Sequence, residues 1–71
     1  MSQNYAYNYA IIEPSMGNMC VDVRTTSVDC SGMENYIEIP VFDGEYLMKY
    51  YIGGNWYEDA EGTIPWTSSL L

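Results

Sequence analysis

Polar and apolar residues alternate in several short runs along this chain, and the period of two predicts strands. Residues 5–13 alternate at first and end in Ala10-Ile11-Ile12, which predicts a first strand. Pro14-Ser15-Met16-Gly17-Asn18 follows with turn chemistry, since Pro presets φ and Gly or Asn takes a left-handed position. From Met19 to Thr25 the alternation resumes. It places Val21 and Val23 on one face, and Cys20, Asp22 and Arg24 on the other. These two strands make a first hairpin. Residues 26–35 are polar and read as a loop. Tyr36 to Pro40 alternates again, with Ile37 and Ile39 pointing one way and Tyr36 and Glu38 the other. Pro40 cannot donate to a ladder, so this strand ends there or lies on an edge.

Asp43-Gly44-Glu45 can cap a single helical turn through Met48 or turn the chain. The clearest pattern comes next. Tyr46-Leu-Met-Lys-Tyr-Tyr-Ile and Asn-Trp-Tyr-Glu-Asp59 flank Gly53-Gly54, the paired glycines that a tight primed turn demands. With these two as turn residues, Ile52 faces Asn55, Tyr51 faces Trp56, Tyr50 faces Tyr57 and Lys49 faces Glu58. The last three are good cross-strand pairs, worth about 0.2–1 kcal/mol each. Sliding the turn by one residue would lose them. After it, Ile64-Pro65-Trp66 is an apolar anchor in an otherwise polar tail, and must cover its own sheet or a neighbour.

The fold class this predicts is all-β. It is a small antiparallel sheet built from two hairpins plus a middle strand, with an extended C-terminal tail. The whole is one domain over 1–71: first hairpin 1–25, loop 26–35, third strand and Gly-Gly hairpin 36–62, tail 63–71.

Composition changes the picture in two ways. A chain of 71 residues buries only about 60 % of the surface it exposes when unfolded, so it needs a good core, a staple or a partner. Its eleven aromatics include eight Tyr, a residue suited to half-buried faces and interfaces. Tyr46, Tyr50, Tyr51, Trp56, Tyr57 and Trp66 are therefore the candidate contact residues. Ten carboxylates face only Arg24 and Lys49, giving a net charge of -8. That charge repels nucleic acid and anionic membranes, and it attracts basic protein surfaces.

Catalytic and metal chemistry find little footing. The chain has no His, the commonest general base, and carries no phosphate loop or nucleophile elbow. Cys20 and Cys30 alone are too few ligands for a zinc site; in a cytosolic chain they read first as free thiols, with a disulfide between them as the alternative. Glu58-Asp59-Ala60-Glu61-Gly62 does not match the spacing of a calcium loop and reads as a solvated acidic turn. No catalytic, cofactor-binding or metal-binding residue is expected, and the chain is not expected to be an enzyme. Stacking on nucleic acid needs a basic groove that is absent from the sequence. No apolar run nears the ~20 residues of a membrane span. The first nine residues lack a basic region and an apolar stretch, so synthesis in a cytoplasm is expected.

Tyr36-Ile-Glu-Ile-Pro40 and Glu45-Tyr-Leu-Met-Lys-Tyr-Tyr-Ile-Gly-Gly-Asn-Trp-Tyr-Glu-Asp59 resemble small proteins encoded among bacteriophage and prophage tail and baseplate genes. Tyr9-Ala-Ile-Ile-Glu-Pro-Ser-Met-Gly17 is similar to the opening hairpin of such proteins. The resemblance covers about two thirds of the chain. It implies a virion structural or accessory protein (tail, baseplate, fibre or head decoration), made in the host cytoplasm. Such a protein acts through assembly with other virion proteins or copies of itself, with no direct nucleic-acid or membrane contact. A different expectation comes from the charge. Carboxylates on alternate strand positions repeat every ~6.8 Å, close to phosphate spacing. Asp22, Glu34, Glu38, Glu45, Glu58 and Asp59 could then mimic nucleic acid to inhibit a host nuclease or defence protein.

Overall fold

The computed structural model describes residues 6–71, so Tyr5, the expected first residue of the first strand, lies outside them. One five-stranded antiparallel sheet makes up the fold: β1 (Tyr7–Glu13), β2 (Met19–Thr26), β3 (Tyr36–Ile39), β4 (Tyr50–Ile52) and β5 (Asn55–Tyr57). The all-β architecture with two hairpins is as the alternation predicted. The spatial order is β3-β1-β2-β4-β5. The third strand, middle in sequence, thus lies at the sheet edge beyond β1. The strand stops at Ile39, one residue before Pro40, which cannot donate to a ladder.

A one-turn 3₁₀ helix at Pro14–Met16 joins β1 to β2. The Glu13 carboxylate caps it, accepting from the Ser15 amide at 3.2 Å and the Ser15 hydroxyl at 2.8 Å. Gly17 and Asn18 then take φ of 73° and 65°, the left-handed pair that returns the chain.

Partway along β2 the ladder slips. Ile11 faces Asp22, but Ile12 faces Cys20, so Val21 is an extra residue. This bulge inverts the alternation on one side of it. The face assignment expected from sequence is therefore wrong here. Cys20 is fully buried and joins Val23 on the core face, while Val21 is 44 % exposed.

The register shows what each face carries, because directly paired residues point the same way. One face holds Ala10, Ile12, Cys20, Val23, Ile37 and Ile39. It is covered by the segment after β3, where Asp43 caps a second 3₁₀ turn at Gly44–Tyr46 and drives the Tyr46 ring inward. The Asp43 carboxylate accepts from the Glu45 amide at 2.9 Å. The other face carries Tyr9, Ile11, Asp22, Arg24, Tyr36 and Glu38. Here the 27–35 loop closes over the sheet through one hydroxyl. Tyr9 Oη accepts from the Cys30 amide at 2.7 Å and donates to Asp29 at 3.1 Å. A polar loop thereby buries the Tyr9 side chain completely.

The second hairpin has the register expected from its glycines: Tyr50 faces Tyr57, Tyr51 faces Trp56 and Ile52 faces Asn55. Gly53 and Gly54 both have positive φ, 57° and 89°, as a primed turn requires. The expected Lys49–Glu58 pair does not form. Lys49 gives its carbonyl to the Cys20 amide at 2.8 Å, and the Glu58 amide turns to Ile64 O at 2.8 Å. The ladder ends one residue early because both positions have other partners.

The tail folds back on its own sheet. The Trp66 amide donates to Trp56 O at 3.0 Å, and Tyr57 bridges Pro65. The Ser68 hydroxyl donates to the Asp43 carboxylate, and both residues are buried. The β5 edge is thus strapped by residues 64–68, whereas among the described residues no strand pairs with the outer edge of β3.

Candidate functional site

Four of the six candidate contact aromatics form one cluster. Its centre is Tyr46, held inward by the Asp43 cap and only 2 % exposed. The Trp56 ring stands edge-on to it at 5.1 Å and 73°, and the Trp66 ring at 4.8 Å and 81°. Tyr51 tilts against Trp56 at 5.0 Å. T-shaped pairs at these separations match the ring quadrupoles and add about 0.5–1.5 kcal/mol each beyond area burial. Burial of the Tyr46 phenol raises its pKa, and the nearby Asp43 carboxylate adds to the effect.

Tyr46 is a core residue, so its expected role as a surface contact is corrected: it positions the two Trp rings. Trp56, Trp66 and Tyr51 are half-buried and remain available at the surface. Tyr50 and Tyr57 sit together on the opposite face. Each packs near a left-handed glycine: a side chain at Gly17 would meet the Tyr50 ring at 3.8 Å, and one at Gly62 would meet Tyr57 at 3.7 Å.

Beside the cluster lies an open cleft of about 250 Å³. Tyr46, Trp56 and Trp66 wall it, with Pro40 and Leu71 as further apolar sides, and Gly54 and Asn55 of the turn also line it. Thr67 and Ser68 add hydroxyls. Sequence reasoning missed Pro40, Asn55, Thr67, Ser68 and Leu71 as site residues. The Pro that ends β3 and the Ser pair in the tail were visible, but only the folded tail brings them together.

Both cations of the chain are engaged. Arg24 Nε pairs with Asp22 at 2.7 Å, and its Nη1 donates to Tyr36 Oη at 3.2 Å. That hydrogen bond to Arg24 holds the Asp22 carboxyl below the usual range. Lys49 Nζ sits 5.0 Å from the Trp66 ring centroid, a cation–π contact. Three of the six carboxylates expected for mimicry accept bonds from their own chain. Asp22 takes Arg24, Glu45 takes the Ser69 hydroxyl at 3.3 Å, and Asp59 takes the Ile64 amide at 3.0 Å and the Thr63 amide at 2.9 Å. Bonding to Thr63 depresses the Asp59 pKa most.

Cys20 and Cys30 are free thiols, and burial pushes the Cys20 thiol pKa up, which makes it a poor nucleophile. Among the described residues no group of three potential ligands stands close enough to hold a metal ion, and no helix is long and apolar enough to cross a membrane. No family model, no curated protein and no solved structure matches this chain.

Proposed function

We propose that this chain is a bacteriophage virion structural or accessory protein that works by assembly, with the Trp56–Trp66 cleft as its principal contact. The observation that carries this reading is the pair of half-exposed indoles held rigidly on the buried Tyr46 ring. Interface hot spots favour Trp and Tyr in well-packed surroundings, because a rigid aromatic loses little entropy on docking. Exposed apolar surface adds support. Among the described residues ten large hydrophobics are exposed, including Phe42, Leu47, Met48 and Ile64, against six buried hydrophobics in the core. A sheet with so small an interior gains from a partner. The phage assignment itself rests on the resemblance of residues 9–17, 36–40 and 45–59. Tail, baseplate, fibre and head decoration are all compatible with it.

The mimicry reading places function on the carboxylates instead. Their self-bonding at Asp22, Glu45 and Asp59 weighs against a free phosphate-like array. Mass spectrometry of purified particles from the phage encoding the chain tests the assembly reading. The expected result is the chain present at a fixed stoichiometry to the major virion proteins. A chain found solely outside the particles, bound to a host protein and released steeply by salt, would overturn it in favour of mimicry.

A further inference from the structure

We propose that the cleft takes the guanidinium of one arginine from a basic segment of the protein partner. This inference rests on the assembly reading and names the chemistry of that contact.

Size sets the first limit. At about 250 Å³ and open to solvent, the cleft is below the range of small-molecule sites, which begins near ~300 Å³. It suits a single long side chain, the usual unit of an interface anchor. The walls set the second. Trp56 and Trp66 present aromatic surface with the buried Tyr46 ring behind them, and Trp is the strongest aromatic acceptor of a cation. The Lys49 ammonium already lies 5.0 Å from the Trp66 ring centroid, which leaves Trp56 as the indole with no cation on it among the described residues. Arg fits better than a second Lys because its planar group stacks on aromatic faces and is more weakly hydrated. Its N–H groups also need acceptors, and the lining includes the Thr67 and Ser68 hydroxyl groups.

Charge sets the third limit and excludes a second copy. The net charge of -8 draws a basic segment towards the surface and repels another molecule of the same chain. That other molecule has one Arg to offer, and Arg24 is held by Asp22 and Tyr36.

The test is an NMR titration of the isotope-labelled full chain with a capped peptide, Gly-Gly-Arg-Gly-Gly amide. The control peptide carries citrulline, the neutral isostere, in place of arginine. Saturable shifts at the indole N–H signals of Trp56 and Trp66 and at the Asn55 amide are expected. The citrulline peptide should bind about tenfold more weakly, since the cation–π share is lost. Thr67→Lys puts a like charge at an exposed residue of the cleft lining, where it should leave the fold intact by circular dichroism. It should weaken the arginine peptide by about tenfold or more. Equal binding of the two peptides, shifts confined to scattered carboxylates, or an unchanged affinity in Thr67→Lys would each overturn the proposal. Any of these results, with the chain still present in particles, removes the arginine site alone. Absence from particles removes the assembly reading beneath it.

Discussion

The two halves of the sheet are held together by different means. In the β3-β1-β2 half, seven-residue β1 runs between two neighbours and shares a long ladder with β2, broken only by the bulge at Val21. Backbone bonds, the Ala10–Cys20–Ile39 interior and the Tyr9-anchored loop carry it. In the β4-β5-tail half, strands of three residues pair over three positions, and β4 meets β2 directly at Met19–Tyr50. Here aromatic stacking on Tyr46 replaces ladder length. Rings can be half-exposed and still rigid, whereas a ladder stabilises without presenting any surface chemistry. The first half is thus a scaffold, and the second half carries the aromatic surface proposed for contact.

The largest effect should come from removing the ring on which both halves meet. Tyr46→Ala deletes two T-shaped contacts and leaves a cavity at the core, at a cost of about 3–5 kcal/mol. That is comparable to the whole stability of a domain this small. Urea unfolding should show a molecule largely unfolded at 25 °C. Tyr46→Phe keeps the ring and should stay within about 1 kcal/mol, because no hydrogen bond of the Tyr46 hydroxyl is found among the described residues.

Trp66→Ala separates the halves more cleanly. It should cost about 2 kcal/mol for a half-buried indole. Hydrogen exchange should then accelerate at the Glu58 and Trp66 amides, whose acceptors are Ile64 O and Trp56 O. The β1–β2 amides should keep their protection relative to global unfolding. Uniform acceleration would show that the halves unfold as one unit.

Tyr9→Phe attacks the scaffold instead. It removes the acceptor of the Cys30 amide and the donor to Asp29 with no change in ring packing. About 1–3 kcal/mol should be lost if the amide stays dry, and exchange at Cys30 should quicken while both indole signals stay put.

Smaller again is Gly53→Ala. Space is free around its Cβ position, so the cost is the strain of φ 57° alone, about 1–2 kcal/mol. Thermal unfolding measures it.

The pH dependence works on the turns of both halves at once. Glu13, Asp22, Asp29 and Asp59 all have depressed pKa values, from bonds to Ser15, Arg24, Ser31 and Thr63 respectively. A depressed native pKa means the unfolded chain binds protons first as pH falls. Their stabilisation is therefore present above the ordinary carboxylate range and is lost as pH drops through the native values. Tyr9 and Tyr46 have raised pKa values, chiefly from burial. They favour the protonated fold below pH ~10, and that contribution disappears as pH rises through their native values. A stability profile falling at both extremes is expected. A profile flat through the acid limb would contradict the carboxylate caps.

What was legible in the sequence was local. Gly53-Gly54 determined a register because two adjacent glycines permit the primed turn that the flanking aromatics need. Pro14 to Asn18 was equally plain. The bulge at Val21 was not, because alternation alone cannot signal an inserted residue whose cause is the partner strand. The polar 26–35 loop gave no hint that its Asp29 and Cys30 would meet Tyr9 some twenty residues away. The site was half-legible. The aromatics were visible, but the burial of Tyr46 depends on the Asp43 cap and on a tail that returns to it. Pro40, Asn55, Ser68 and Leu71 join the cleft through that same return, which no local pattern encodes.

Hydroxyl-radical footprinting, comparing the chain in purified particles with the free chain, tests the division of labour most directly. Oxidation of Trp56 and Trp66 should fall sharply in the particle, while Met16 and Met33, exposed on the scaffold half, should react as before. Unchanged oxidation of both indoles, or protection of Met16 and Met33 instead, would contradict the account.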